Sequence, residues 1–128
     1  MKGEGEMPYG YTGKILHVDL TAGTTSVEEP PESFYRKYFG GPGIGMHYIL
    51  NEVPAGADAL GPENVLAVTL SVVTGAPISG QSRVMVNAKS PFGCIGDAQA
   101  GGFWPAELKF AGFDGVVIHG QSDGPVYL

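Results

Sequence analysis

Apolar and polar residues alternate with a period of two near the start of the chain. Leu16 and Val18 alternate with His17 and Asp19, which is the pattern of a strand with one buried face. The sequence TAGT follows as a turn, and the same period continues through TTSVEE. Residues 13–29 are therefore predicted to form a β-hairpin.

The period changes to three and four residues in the next segment. Aromatic residues in ESFYRKYFGG fall on one side of a helix, and Gly40 offers a C-terminal stop. A second helix is predicted from about Ile44 to Glu52, with Pro54 ending it. The glycine-rich GGPGIG between them is either a nucleotide-binding loop or a helix stop with a tight turn. It lacks a preceding strand and a downstream acid, which favours the turn.

The second half of the chain predicts further strands and one more helix. VLAVTLSVV has the near-continuous apolar, β-branched character of a central strand buried on both faces. RVMVNAK alternates as a strand, so that Arg83 stands where a loop becomes a strand, and SPFGCIGDAQAGG is interpreted as a loop. In FWPAELKFAG, Pro105 suits the first turn of a helix. DGVVIHG and PVYL are predicted to pair around a QSDG turn.

These elements predict an α+β fold, a β-rich sheet domain with a few short helices. The 128 residues suit one modest domain. The 21 glycines and 10 prolines imply many tight turns and places where the backbone closely approaches another group.

Charge and cysteine content exclude several classes of function. The formal net charge of -6 disfavours nucleic-acid and anionic-membrane partners. The single cysteine, Cys94, forms neither an internal disulfide nor a four-thiolate cluster, which fits a reducing cytoplasm. The longest apolar stretch, residues 65–73, is too short to span a bilayer, so a soluble, cytoplasmic protein is predicted.

The three histidines give no sequence signal for a metal site. His17, His47 and His119 lie far apart along the chain, and none has a second ligand at metal-binding spacing. We therefore expect surface or strand histidines and no zinc site.

An anion-binding site is the chemistry best suited to the segment from Gln81 to Gly112. Arg83 offers a bidentate, charge-assisted contact, and Gly101 and Gly102 allow backbone N–H groups to point at a ligand. A helix beginning near Pro105 adds its positive dipole end. The lysines of this segment leave it locally positive by one charge. The alternative is a plain turn beside a solvated strand-end charge, and spacing alone does not decide between the two.

A family resemblance covers nearly the whole chain. YGYTGKIL, VDLT, YRKYFGG, EVPAGADALGPEN and AGGFWPAELKFAGFDGVVIHG follow one another in order. In this combination the chain resembles the N-terminal domain of aldehyde ferredoxin oxidoreductase. The resemblance implies that residues 1–128 form a tungstopterin-binding domain. Such a domain is a β-rich base for a tungsten bis-pterin cofactor with a bridging magnesium ion.

The resemblance also implies which residues touch the pterin. Arg83 and the loop residues Gln99, Ala100 and Gly101 match contact positions of the family, partly through main-chain atoms, and Gly102 completes the glycine pair. Gln99 replaces the asparagine of the best-known members, the KSPFGCIG loop is one residue shorter than theirs, and the loop before Arg83 differs. These differences allow a subfamily with another substrate, because the family is also similar to tungsten subunits of aromatic acyl-CoA reductases.

The implied reaction is oxidation of an aldehyde to a carboxylic acid, with electrons passing through a 4Fe-4S cluster to ferredoxin. The cluster ligands lie further along a full-length family member, and Cys94 has no counterpart among them. Family members are several times longer, and their first domain continues beyond the position of Leu128. We therefore expect a domain incomplete at its C-terminal end, which does not catalyse the reaction alone.

Three alternatives for the isolated chain remain open at this stage. It is completed by the remainder of an enzyme or by a partner subunit carrying the cluster, or it is a non-catalytic fragment or assembly module. In the third alternative, VLAVTLSVV is partly exposed and the chain forms a homo-oligomer.

Overall fold

The structure is a computed structural model that describes residues 10–128. Within this range an α+β fold is present, as predicted. In chain order its elements are β1 Ile15–Asp19, β2 Thr24–Glu28, α1 Glu32–Tyr38, α2 Pro42–Glu52, β3 Val65–Leu70, β4 Arg83–Lys89, β5 Ile95–Gly101, α3 Trp104–Phe110 and β6 Gly115–His119.

The strands form one six-stranded mixed sheet in the order β2-β1-β6-β3-β4-β5. β1 and β2 pair antiparallel, with Ile15 opposite Glu28, which confirms the predicted hairpin. β1 pairs in parallel with β6, and the remaining neighbours are antiparallel. The first and last strands of residues 10–128 therefore lie side by side in the interior of the sheet.

The core lies between one face of the sheet and the first two helices. Each of the three adjacent strands β1, β6 and β3 points one buried side chain at α2: Ile15, Val117 and Val65. These side chains pack against Ile44 and Tyr48 of α2. All five side chains are buried. Burial of each aliphatic side chain in such a core stabilises the fold by roughly 1.5–3 kcal/mol, so this cluster sets the position of α2 on the sheet.

The junction between α1 and α2 is the helix stop and turn that GGPGIG predicts. Phe39, Gly40 and Gly41 all have positive φ angles. The Gly41 N–H donates to the Leu70 carbonyl at 2.8 Å, and the buried Thr69 hydroxyl donates to the Gly41 carbonyl at 2.8 Å. A Cβ on Gly40 would lie 3.0 Å from the Leu70 carbonyl oxygen, so the glycine allows the close approach to β3.

The prediction that β3 is buried on both faces is only partly right. Val65, Ala67 and Thr69 are buried beneath α2, and Leu70 is buried on the other face. Leu66, however, is 39% exposed. The reason is that α1 and α2 both pack on the opposite side of the sheet.

Two other predictions of local structure are wrong. The segment expected as a loop contains β5, which pairs with β4 from Lys89 opposite Ile95 to Arg83 opposite Gly101. PVYL, expected to pair with DGVVIHG, has no strand structure at residues 125–128. β1 and β3 occupy both edges of β6, so no edge is left for it.

Candidate cofactor-binding site

The sequence-predicted site residues meet at one end of the β4–β5 pair. Arg83 opens β4 and lies directly opposite Gly101, while Ala100 lies opposite Val84 and Gln99 opposite Met85. Arg83, Gln99, Ala100, Gly101 and Gly102 are all exposed. The antiparallel register therefore brings residues far apart in sequence onto one open surface.

Gly101 and Gly102 leave open space at this surface. A Cβ on Gly101 would have Ser82 O as its nearest atom, at 3.6 Å, which is an ordinary contact. A Cβ on Gly102 would meet nothing within 4 Å, although its φ of 128° favours glycine. No neighbouring atom of the described chain lies so close that it excludes a side chain at either position. The space beside both glycines is therefore free for a ligand.

Polar side chains of the preceding loop hold the backbone around Arg83. The Gly75 N–H donates to Gln81 Oε1 at 2.8 Å, and the Ser82 hydroxyl donates to the Gly102 carbonyl at 2.5 Å. The Thr74 hydroxyl donates to the Arg83 carbonyl at 3.4 Å. Sequence reasoning missed these positioning residues, although Ser, Thr and Gly turn chemistry is their signal.

Arg83 is the cation that remains available at this surface. Within residues 10–128 its guanidinium makes no hydrogen bond or ion pair. Lys109 instead pairs with the buried carboxylate of Asp114 at 3.0 Å, and Lys89 Nζ donates to the Ala57 carbonyl. The positive charge predicted for the segment is therefore carried at the site by one side chain, which suits a bidentate anion contact.

The predicted helix beside the glycines is short. α3 has seven residues, with the buried Pro105 in its first turn and no side-chain cap from Phe103. Fewer than two turns give a small dipole, so its contribution to anion binding is minor. Phe103, Trp104 and Phe110 are 89%, 53% and 67% exposed, which gives the site an apolar border.

Comparison with known proteins identifies the family. Residues 15–128 match the family described as "Aldehyde ferredoxin oxidoreductase, N-terminal domain". The chain belongs to this family. A tungsten-containing aldehyde ferredoxin oxidoreductase of Pyrococcus abyssi is 44% identical over 121 residues, and that of Thermococcus kodakarensis is 43% identical. Each alignment covers 94% of this chain and 20% of the relative, so the chain spans about a fifth of their length.

Two other similar proteins extend the range of chemistry within the family. An "Aliphatic sulfonate oxidoreductase, WOR-like subunit" of Pyrococcus furiosus is 33% identical over 123 residues, again covering 94% of this chain and 20% of the relative. The solved "Active site complex BamBC of Benzoyl Coenzyme A reductase in complex with 1,5 Dienoyl-CoA" matches with a TM-score of 0.90 at 34% identity. That match covers 94% of this chain and 18% of the other. The fold is thus shared by tungsten oxidoreductases and a coenzyme A ester reductase.

The site geometry fits the pterin part of an aldehyde ferredoxin oxidoreductase cofactor. Arg83, which has no side-chain partner among residues 10–128, suits a phosphate, and the open glycines allow close approach of a flat ligand to the backbone. Among residues 10–128, no three His, Cys, Asp or Glu side chains converge as metal ligands. Cys94 is a single exposed thiol in the β4–β5 turn. Within the described range, no helix has the length and apolar character needed to cross a membrane.

Proposed function

We propose that this chain is the tungstopterin-binding platform of an aldehyde ferredoxin oxidoreductase-type enzyme. The observation that carries the proposal is the pairing of Arg83 with Gly101 across β4 and β5, with both residues exposed. Residues 1–128 act as a binding domain that the remainder of the enzyme or a partner subunit completes. This is consistent with relatives about five times as long.

Each proposed contact residue has a distinct role. Arg83 donates two parallel N–H bonds to a phosphate of the cofactor, a geometry that lysine does not reproduce. The pterin would contact backbone groups of the loop that comprises Gln99, Ala100, Gly101 and Gly102. The two glycines have no side chain that would hold the pterin away from the backbone. A magnesium ion beside the cofactor's phosphates is part of the proposal, and it would offset part of their negative charge. The bound cofactor supplies the redox chemistry, while these residues bind and orient it.

The complete enzyme is proposed to oxidise an aldehyde to a carboxylic acid. In this reaction an aldehyde and water give a carboxylic acid, two protons and two electrons, and a 4Fe-4S cluster of the complete enzyme would pass the electrons to ferredoxin. The tungsten-containing aldehyde ferredoxin oxidoreductases at 44% and 43% identity support this assignment. The cluster ligands and the substrate pocket belong to the remainder of the enzyme, and a cytoplasmic location is part of the same proposal.

A second candidate is the tungsten subunit of an aromatic acyl-CoA reductase. The TM-score of 0.90 to the BamBC complex supports it, and the platform would be the same in both cases. The discriminating experiment assays the complete enzyme with an aldehyde and a viologen acceptor, and with a dienoyl-CoA. Turnover of the aldehyde alone supports the first candidate, and turnover of the CoA ester alone supports the second. If neither is turned over, a non-catalytic assembly module is supported.

The platform itself is tested by elemental analysis for tungsten and molybdenum together with pterin detection. The parent chain and an Arg83→Ala variant are purified from a host that makes the cofactor. Arg36→Ala is the matched control, because Arg36 is an exposed arginine on α1 that pairs only with Glu32 in the described range. We expect metal and pterin in the parent and the control and about tenfold less in Arg83→Ala.

Two outcomes would contradict parts of the proposal. Equal cofactor content in Arg83→Ala and the parent would remove Arg83 from the site. No metal and no pterin in the parent would show that the isolated chain is not an autonomous platform. The cofactor-binding role would then require the rest of the enzyme.

A further inference from the structure

Four titratable side chains form a continuous line at the other end of the sheet from Arg83. Glu28 Oε2 lies 2.7 Å from His17 Nε2, and His17 Nδ1 lies 3.1 Å from His119 Nε2. His119 Nδ1 lies 3.4 Å from Glu52 Oε2. Because β1 and β6 are parallel neighbours, two histidines distant in sequence become adjacent.

The hydrogen bonds of Glu28 determine which ring nitrogen of a neutral His17 carries the proton. The Tyr48 hydroxyl donates to Glu28 Oε2 at 2.7 Å, and burial raises the pKa of Tyr48, as does its hydrogen bond to Glu28, so the hydroxyl keeps its proton. Glu28 as a carboxylate only accepts, so His17 Nε2 donates to it and the Nδ1 lone pair of a neutral ring faces His119.

When both imidazoles are neutral, this line has one proton fewer than it has gaps. The line contains three contacts between polar atoms: Glu28 with His17, His17 with His119, and His119 with Glu52. Each contact is favourable only if one proton lies between the two atoms. Two neutral imidazoles carry two ring protons, so every neutral arrangement leaves two acceptors facing each other. With both outer protons directed at the carboxylates, the unmatched gap is the 3.1 Å space between His17 Nδ1 and His119 Nε2.

We propose that a divalent transition-metal ion of the imidazole-preferring class, such as Zn²⁺ or Ni²⁺, binds between His17 Nδ1 and His119 Nε2. Two metal–nitrogen bonds of about 2.0–2.1 Å across this gap subtend an angle of about 100°, close to tetrahedral. Glu28 accepts the outer N–H of His17, and Glu52 Oε2 lies 3.4 Å from the outer nitrogen of His119, so each histidine has a carboxylate beside it, which is the usual support of a metal-binding histidine. The site does not depend on the proposed cofactor platform.

Water completes the coordination of the ion. The His17 and His119 side chains are 19% and 29% exposed. In the described range no third His, Cys, Asp or Glu is placed to join the two histidines as a metal ligand. The two carboxylates and the net charge of -6 favour a cation at this position. A bound ion would link β1 and β6 directly and, through Glu28 and Glu52, would also tie β2 to α2.

Isothermal titration calorimetry with Zn²⁺ and with Ni²⁺ tests the site in the untagged, EDTA-treated and dialysed chain. We expect one equivalent to bind with a dissociation constant in the micromolar range, about 10 μM, and thermal unfolding to shift upward with metal. His17→Ala and His119→Ala are each expected to lose at least about tenfold in affinity. His47→Ala is the matched control, because His47 lies on α2 outside the line, and should bind as the parent does.

Glu28→Gln and ¹⁵N NMR keep the test informative if a histidine variant unfolds. Glutamine has the size of the glutamate and still accepts from His17, so we expect a folded chain with affinity about 10–100-fold weaker. In the parent, metal should shift the His17 Nδ1 and His119 Nε2 resonances and leave His47 unchanged. No binding by the parent at 100 times the expected dissociation constant, about 1 mM, would overturn the site. Equal binding by His17→Ala, or NMR showing only a shared proton between the rings, would do the same.

Discussion

Gly101 can be replaced by a larger residue without disturbing the fold, so its binding role can be tested separately from any structural role. Its φ is not positive, and an added Cβ meets no atom closer than 3.6 Å. Gly101→Val should therefore fold normally but project a side chain into the proposed ligand space. We expect tungsten and pterin content to fall by about tenfold, whereas Gln99→Asn should retain it within about twofold because a main-chain contact tolerates a shorter amide. Equal cofactor retention in both variants would contradict backbone recognition at this loop.

Two buried tyrosines predict how stability depends on alkaline pH. Burial is the main cause that raises the pKa of both tyrosines. The negative charge of Asp114 raises the pKa of Tyr35 further, and the hydrogen bond to Glu28 raises that of Tyr48 further. In the unfolded chain both titrate near pH 10. Their contribution to stability is therefore complete below pH 10 and is lost as pH rises above it.

Chemical denaturation between pH 9 and 11.5 measures this loss. The free energy of unfolding should fall above pH 10 by up to about 1.4 kcal/mol per pH unit for each tyrosine. Tyr48→Phe should remove about half of that slope, although it also leaves Glu28 with one donor fewer. An unchanged slope in Tyr48→Phe would show that Tyr48 is ionised in the folded chain as readily as in the unfolded one.

At the scale of the element, the α1–α2 junction depends on a side chain from β3. The Thr69 hydroxyl reaches the Gly41 carbonyl from a fully buried position. Thr69→Val keeps the shape and removes this bond. Because the same carbonyl also accepts from Ile44 and Gly45, it is not left unpaired, and we expect a loss of about 1 kcal/mol.

Urea denaturation of Thr69→Val and Thr25→Val compares a buried with an exposed threonine. Thr25 lies on β2, whose residues are all exposed, so its replacement should change stability by less than about 0.5 kcal/mol. Similar effects of the two substitutions would mean that the Thr69 hydroxyl does not hold the junction to the sheet.

The accuracy of sequence reasoning differs between elements for physical reasons. β1, α1, α2 and β4 have clear periodicity because each buries one face, whereas β2 is fully exposed and is joined to β1 by a short turn. β5 lacks it: Gly96, Ala98 and Gln99 have low strand propensity, and the strand forms because β4 offers an unpaired edge. PVYL contains residues with good strand propensity, but its predicted partner β6 is already paired on both sides with β1 and β3. Propensity thus predicts strands poorly where pairing decides the outcome.

At the scale of the whole molecule, exposed aromatic residues predict self-association of the isolated chain. Phe103, Trp104 and Phe110, all within or next to α3, are each more than half exposed, and exposed apolar side chains on one element favour association. We expect oligomers by analytical ultracentrifugation at about 100 μM. Phe103→Ser combined with Phe110→Ser should shift the chain toward monomer.

Phe92→Ser provides the control for this prediction. Phe92 is as exposed as Phe103 but lies in the turn between β4 and β5, at the other end of the pair. Its replacement should leave the oligomer distribution unchanged. A monomeric parent at this concentration would show that the aromatic surface is too small to hold two copies together.

The candidate site and the histidine line differ in what sequence could reveal. Arg83 and Gly101 were predicted from the sequence because a strand start and a glycine pair are local features and the family resemblance joined them; the structure places the two residues opposite each other, and their binding role remains a proposal. The contact of His17 with His119 follows from the parallel pairing of β1 and β6, which no local pattern specifies. Sequence separation therefore concealed the proximity of His17 and His119, which the sheet order creates.

The pairing of β1 with β6 also constrains co-translational folding. Ile15 lies opposite Gly115 in the interior of the sheet, so β1 has its hairpin partner early but its other neighbour only when nearly the whole domain has been translated. Until then the apolar side chains of β1 stay without their final packing. A ribosome stalled before residue 115 would thus hold an open, aggregation-prone sheet, and chaperone contact should end abruptly once β6 leaves the exit tunnel.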